Sequence, residues 1–422
     1  MVFLTEEKVE KIISKASALL KSSVVVVKDL ASFIGSIINA FYAVLEAPLH
    51  YRSLERDKIR GLGPDMDFLN QVSLSEEGKA ELHWWCDFIK VKNGKHIRPN
   101  KVEFKCRTDS SLIGYGCVDL DSGRVSQGRW SLEEANNHIS YLELLAIYFA
   151  LQALYFDCTD THIEFQCDNV TAVKYVNDMG GMTSVDLDIL SGEIWQWCLK
   201  RNIYVSAIHI AGIDNKTADY YSRNFSDSTE WRLKPEIFKR LCKHFFEPQI
   251  DLFASRINRQ LDSFVSWFPE PGASFNDAFS CSWSRLLPYI FPPFNLISKV
   301  INKIVEDRVV KAILIVPFWK SQPWFPLLLP NLASLPVRLP RHRDLLTLVH
   351  DGRHHPLGKS LTLIGVQLSG DPSVLEKFQQ ELLTLSSRHG DQEPANNTVW
   401  PGETGILGVI NSIKIPFVRL KC

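Results

Sequence analysis

The 422-residue chain has no CxxC pair, no cysteine–histidine spacing suited to zinc, and no apolar run reaching ~18 residues. Its nine cysteines therefore read as reduced intracellular thiols, mostly buried, rather than as a disulfide framework or a zinc site. Without an apolar run no membrane span or membrane partner is expected. The lysine-bearing amphipathic stretch 1–20 has no cleavage site, so no secretory signal is expected either. An intracellular location, in the cytoplasm, the nucleus or both, is the expectation. There is also no charge excess: the net charge is -1, so nucleic-acid binding would need a local basic groove. No internal repeat is evident.

The chain does have the length for about two or three domains and the 45% hydrophobic share of an ordinary globular protein. Residues 1–100 read as helical. Ile12, Ile13, Ala16, Leu19 and Leu20 form one stripe, Leu30, Ile34, Ile37, Ile38 and Phe41 another, and 76–89 a third. Ser75 before Glu76-Glu77 is a plausible helix cap. Between the stripes, 50–60 is a basic connector, either a solvated helix face or a contact to nucleic-acid backbone.

Residues 101–225 change character. Strand patterns at 102–110, 114–120 and 124–130 precede a helix at 140–156 and a strand at 161–168. Helices at 170–177 and 185–201, a strand at 203–210 and a short helix from 217 follow. That order predicts a mixed five-stranded sheet flanked by helices. A second α/β pattern fills 226–370, with strands at 250–253, 264–268, 289–291, 311–317 and 361–368 and a helix at 296–307. The remainder, 371–422, reads as a tail with a helix at 374–383 and a polar linker at 387–404. The fold class expected is thus α/β multidomain with a helical N-terminal segment.

Four acids stand where this reading puts strand ends or inner helix faces: Asp109, Glu143, Asp168 and Asp219. Singly, each is a surface or capping carboxylate. Together, on separate elements, they need a counter-charge, and two hard divalent cations, Mg²⁺ or Mn²⁺, supply one suited to phosphodiester hydrolysis. Asp109 and Asp168 are the natural bridging pair. His209, in an expected mobile loop, could shuttle protons or help release product.

These residues lie in recognisable phrases: Thr108-Asp109-Ser110, Tyr141-Leu-Glu143-Leu-Leu-Ala146, Cys167-Asp168-Asn169 and His209-Ile-Ala-Gly-Ile-Asp-Asn-Lys-Thr-Ala-Asp219-Tyr-Tyr-Ser-Arg223. The set resembles the ribonuclease H domain of retroelement reverse transcriptases, and is most similar to DIRS-type, tyrosine-recombinase retrotransposons. The resemblance implies a ribonuclease H-like fold and hydrolysis of the RNA strand of an RNA–DNA hybrid by the four acids and His209. One departure is the absence of a basic insertion between 170–177 and 185–201, which some ribonucleases H use to grip the hybrid.

The flanks extend the resemblance. Asp29-Leu-Ala-Ser-Phe-Ile-Gly35, Pro48-Leu-His-Tyr-Arg52 and Leu82-His-Trp-Trp85 resemble the thumb and connection before such a ribonuclease H. No YxDD motif for a polymerase palm is present, so the chain is expected to be the C-terminal part of a longer polyprotein, with the element's polymerase as a partner. Ile250-Asp-Leu-Phe-Ala-Ser255, Asn276-Asp-Ala-Phe279 and Phe291-Pro-Pro-Phe294 resemble an adenine-N6 methyltransferase-like (Dam) domain. That implies S-adenosylmethionine as a cofactor, with Asp251 and Asp277 as its candidate contacts and Phe294 as a base-stacking residue. Phe291 stands where active enzymes carry a polar residue, and no FxGxG turn is visible, so a Pro-Pro turn ending a buried strand is an equal reading. Three functions remain open: a ribonuclease H, a non-catalytic nucleic-acid-binding scaffold, and an adenine-N6 DNA methyltransferase.

Overall fold

A computed structural model of the protein describes residues 1–96, 101–226, 230–358, 360–389, 405–410 and 413–420. Four helices come first: α1 (Glu6–Leu20), α2 (Val27–Ile38), α3 (Arg52–Leu62) and α4 (Glu76–Lys92). Thr5 and Ser75 cap α1 and α4 by accepting from the amides of Lys8 and Gly78. Glu6-Glu7 and Glu76-Glu77 fill the two first turns, where the positive end of the helix dipole favours them. The three expected stripes meet in one core through Ala16, Leu30, Ile34, Leu82 and Trp85.

The basic connector is α3, and its arginines divide: Arg60 is exposed, whereas Arg52 and Arg56 face neither solvent nor a free surface. Arg52 is 4% exposed and donates to the carbonyls of Asp178 and Met179 at 2.6 and 2.8 Å. Arg56 pairs with Asp188 at 2.6 Å. Their charge is consumed in tying the helical unit to the next one.

That next unit runs β1 (Phe104–Ser110), β2 (Gly114–Asp119), β3 (Val125–Arg129), α5 (Ile139–Leu154) and β4 (His162–Cys167). It continues through α6 (Val170–Asn177), α7 (Val185–Leu199), β5 (Tyr204–His209) and α8 (Lys216–Arg223). The strand order is β3-β2-β1-β4-β5, antiparallel across β1 to β3 and parallel across β1, β4 and β5. This is the expected mixed five-stranded sheet. Short turns suffice for the antiparallel meander, whereas the parallel step from β1 to β4 needs a crossover, which α5 provides. From Leu142 to Leu154 that helix is buried almost all round, packed with Tyr115, Trp130 and Phe165. Helix α8 lies close on β2: a Cβ added at Gly116 would meet the Ala218 carbonyl at 2.4 Å.

A second sheet follows, in the order Gly405–Ile410, Ile413–Arg419, Val337–Arg338, Leu363–Leu368, Ala312–Pro317, Pro288–Ile290 and Ile250–Asp251. Its last three strands are parallel to one another. The expected strand at 264–268 shrinks to Val265–Ser266 and pairs outside this sheet with Phe275–Asn276. The tail differs from expectation. Its helix spans Pro372–His389, and the strands at 405–410 and 413–419 form a hairpin that joins the sheet beside Val337–Arg338. The expected linker at 387–404 lies outside the described residues from 390 onward.

The two α/β units meet through Arg256, whose guanidinium donates to both Glu134 oxygens at 2.6 and 2.8 Å and covers the Phe149 ring at 4.6 Å. The eight described cysteines are free, and no described helix is long and apolar enough to cross a membrane.

Candidate metal centre

The central strand β1 and its parallel neighbour β4 end side by side, and this brings Asp109 and Asp168 together. Asp109 is the penultimate residue of β1 and 4% exposed; Asp168 follows the last residue of β4 and is exposed. Glu143, in the first turns of α5, is 4% exposed and points between them. One oxygen from each of the three lies within 4.8 Å of the others.

Electrostatics make this cluster unfavourable without a cation. Burial, reinforced by the charges of Asp109 and Asp168, pushes the Glu143 carboxyl up to about 9. Burial also pushes Asp109 up to about 6, opposed by a hydrogen bond from Ser222 and reinforced by Asp168 and Asp219. Glu143 accepts from the Ser110 amide at 3.2 Å through Oε1, while Oε2 is buried with no partner. An orphaned oxygen beside two further carboxylates is the donor set a hard divalent ion takes. The residues present therefore fit such an ion.

Asp219 comes close without joining the three. It is the fourth residue of α8, it does not cap that helix (Asn215 stands at the N-cap), and its Oδ1 pairs with Arg223 Nε at 2.6 Å. His209 is the last residue of β5, inside the strand expected at 203–210 rather than in a mobile loop, and is exposed. Its Nε2 lies 3.2 Å from the Asp168 carbonyl.

Sequence reasoning passed over Ser222 and Arg223, although both stand in the quoted motif. They follow Asp219 by three and four residues, the spacing that makes helical neighbours. The Ser222 hydroxyl lies 2.6 Å from Asp109 Oδ2 and 2.9 Å from the Asp219 carbonyl, so it links β1 to α8. Asn215 Nδ2 adds a second tie, donating to the Thr108 carbonyl at 2.9 Å.

The three residues singled out in the second unit do not converge. Asp251 is 2% exposed, accepts from the Gln260 amide at 3.0 Å through Oδ2 and leaves Oδ1 buried without a partner; burial pushes it up to about 7. Asp277, at φ 55°, accepts from the Phe279 amide at 3.0 Å and lines a cavity of about 690 Å³. That cavity lies between the α/β units, with Tyr220, Tyr221 and Phe225 on one side and Phe253, Trp267 and Asn295 on the other. Phe294 is not in its wall; its ring packs edge-on against Trp319, 5.3 Å between centroids.

No family model matches the chain, and no curated protein does. Solved structures match parts of it. An LC11 ribonuclease H1 in complex with an RNA/DNA hybrid is 18% identical over 28% of this chain and 93% of that one, with a TM-score of 0.25. Ribonuclease H1 from the halophilic archaeon Halobacterium salinarum is 18% identical over 28% of this chain and 92% of that one, with a TM-score of 0.23. A foamy viral protease-reverse transcriptase in complex with an RNA/DNA hybrid is 13% identical over 49% of this chain and 27% of that one, with a TM-score of 0.21.

Proposed function

We propose that the chain is a divalent-cation-dependent ribonuclease H of a retroelement, hydrolysing the RNA strand of RNA–DNA hybrids beside the polymerase of the same element. The observation that carries this reading is the convergence of Asp109, Glu143 and Asp168 from three separate elements, with one Glu143 oxygen buried and unpartnered. What sets Glu143 apart from a lone buried acid such as Asp251 is that two further carboxylates converge on it.

In this reading Asp109, Glu143, Asp168 and Asp219 would hold two Mg²⁺ or Mn²⁺ ions. When bound, such ions supply a water that ionises near neutral pH and positive charge for the leaving oxygen. Burial and the neighbouring acids favour the protonated form of Glu143 in the metal-free chain, and a bound cation would favour its ionised form. Ser222 keeps the Asp109 carboxylate aimed by donating to Oδ2. His209, donating Nε2–H to the Asp168 carbonyl, keeps Nδ1 free to take or return a proton at the exposed edge of the site.

The assay is cleavage of a hybrid labelled in its RNA strand, with Mg²⁺ over a range of salt. The wild type is expected to cut the RNA and leave the DNA, and Asp109→Asn and Asp168→Asn to lose at least a hundredfold or so of that rate. No cleavage by the wild type at any salt would dismiss the proposal.

A second reading concerns residues 226–370, and the cavity is what favours it. Its size suits a nucleoside-bearing ligand such as S-adenosylmethionine, with Asp277 as a polar contact. Methyl transfer to an adenine amino group fits less well, since Phe291 offers no polar atom and Phe294 is engaged by Trp319. Calorimetry with S-adenosylmethionine tests the binding: no heat at millimolar cofactor would dismiss it.

A further inference from the structure

The Asp219 carboxylate stands apart from the acids it is expected to join. Asp109, Glu143 and Asp168 gather within 4.8 Å, whereas Asp219 turns Oδ1 to Arg223 Nε at 2.6 Å, one helical turn along α8. The backbone of α8 is anchored toward the cluster. Asn215 ties its first turn to the Thr108 carbonyl, and Ser222 ties its last turn to Asp109. Within that anchored helix, the Asp219 carboxylate is engaged by Arg223. Both partners of the ion pair are about half exposed, 45% for Asp219 and 58% for Arg223, so neither is locked by packing.

Arg223 is more than a local partner. Its charge stabilises the ionised forms of Asp109 and Glu143, and the carboxylates of Asp219, Asp109 and Asp168 in turn strengthen its hold on its own proton. A guanidinium keeps its charge at any working pH. The metal-free cluster thus already contains one cation, supplied by its own helix.

We propose that Arg223 is a resident counter-cation that competes with the second divalent ion for Asp219. The carboxylate is bonded to Arg223 while the site holds one ion or none. It turns to complete the site as the second ion enters, and the guanidinium is released toward solvent. This rests on the nuclease reading, which alone makes Asp219 a ligand. An exposed pair at this helical spacing is weak, so Arg223 sets the concentration at which the second ion binds and does not forbid its entry. Arg223 is a positioning residue, acting through Asp219.

The test is calorimetric titration of Mn²⁺ into the full chain with a cleavage-resistant 2′-O-methyl RNA–DNA hybrid bound. Arg223→Gln, Asp219→Asn and the double variant complete a cycle with the wild type. Arg223→Gln is expected to tighten the weaker binding step by about two- to fivefold, or to reveal a second step if the wild type shows one. Arg223→Lys should restore the weaker binding. In the Asp219→Asn background, removing Arg223 should change Mn²⁺ affinity no more than Lys216→Gln does, which takes one exposed charge from the same helix. Equal tightening with and without the Asp219 carboxylate would overturn the competition, leaving only a general field effect. So would the absence of any change in either background. A folded wild type that binds no Mn²⁺ at all would instead count against the nuclease reading itself.

Discussion

Glu143 is strongly at odds with its surroundings in the metal-free chain. It is 4% exposed, has one oxygen without a partner, and is pushed up to about 9 chiefly by burial. Between its ordinary value and about 9 the folded chain keeps a proton that the unfolded chain has lost, so stability falls as pH rises across that window. Glu143→Gln removes the titration while keeping the shape. We expect it to stabilise the metal-free chain at about pH 8 by on the order of a few kcal/mol while abolishing hybrid cleavage, measured by urea unfolding and the labelled-RNA assay. A variant less stable than wild type at that pH would contradict this account of the site. At this scale the sequence was legible wherever chemistry coincides with a strand end. Asp109 and Asp168 stand at or beside the ends of strands whose alternation is plain. The pairing of Asp219 with Arg223 was not legible, because a rotamer choice between a metal site and a neighbour leaves no trace in residue order.

At the scale of elements, the site depends on how closely α8 approaches the sheet. Gly116 of β2 allows that approach, since a Cβ there would meet the Ala218 carbonyl at 2.4 Å and the Ser222 amide at 2.6 Å, both backbone atoms that cannot swing away. Gly116→Ala is expected to lift α8, weaken the Ser222–Asp109 bond and cost about 1–3 kcal/mol as well as most of the proposed cleavage activity. Wild-type stability and activity in this variant would show that α8 is not held as described. The five strands and α5 were readable from alternation and an apolar run. Helix α3 was readable only as a connector, because Arg52 looks like any surface arginine until the carbonyls of Asp178 and Met179 are folded against it. The strands after residue 404 were missed for a similar reason: their partner, Val337–Arg338, is a two-residue strand far away in sequence.

Over the whole molecule, buried polar groups govern how the chain responds to pH and to substitution. Burial pushes Glu81 and Asp251 up to about 7 and Glu270 up to about 8. Each therefore contributes stability that is full below its ordinary value and lost as pH rises through these figures. His50, which burial pushes down to about 4, opposes them on the acid side. The melting temperature of the metal-free chain is expected to fall between about pH 5.5 and pH 8.5. A rise over that range would contradict the burial of these acids. Arg256→Ala removes the partner of Glu134 and uncovers Phe149, and should cost about 2–4 kcal/mol and split a single unfolding transition into two. Seams of this kind were invisible in the sequence, since both partners are ordinary charged residues 122 positions apart.

The central claim is that Asp109, Glu143 and Asp168 form one divalent-cation site. Anomalous diffraction from a Mn²⁺-soaked crystal at the manganese edge tests it most directly. The account predicts a peak about 2.1 Å from one oxygen of each of the three carboxylates. A fully soaked crystal with no peak between them, or with manganese held only elsewhere in the chain, would contradict it.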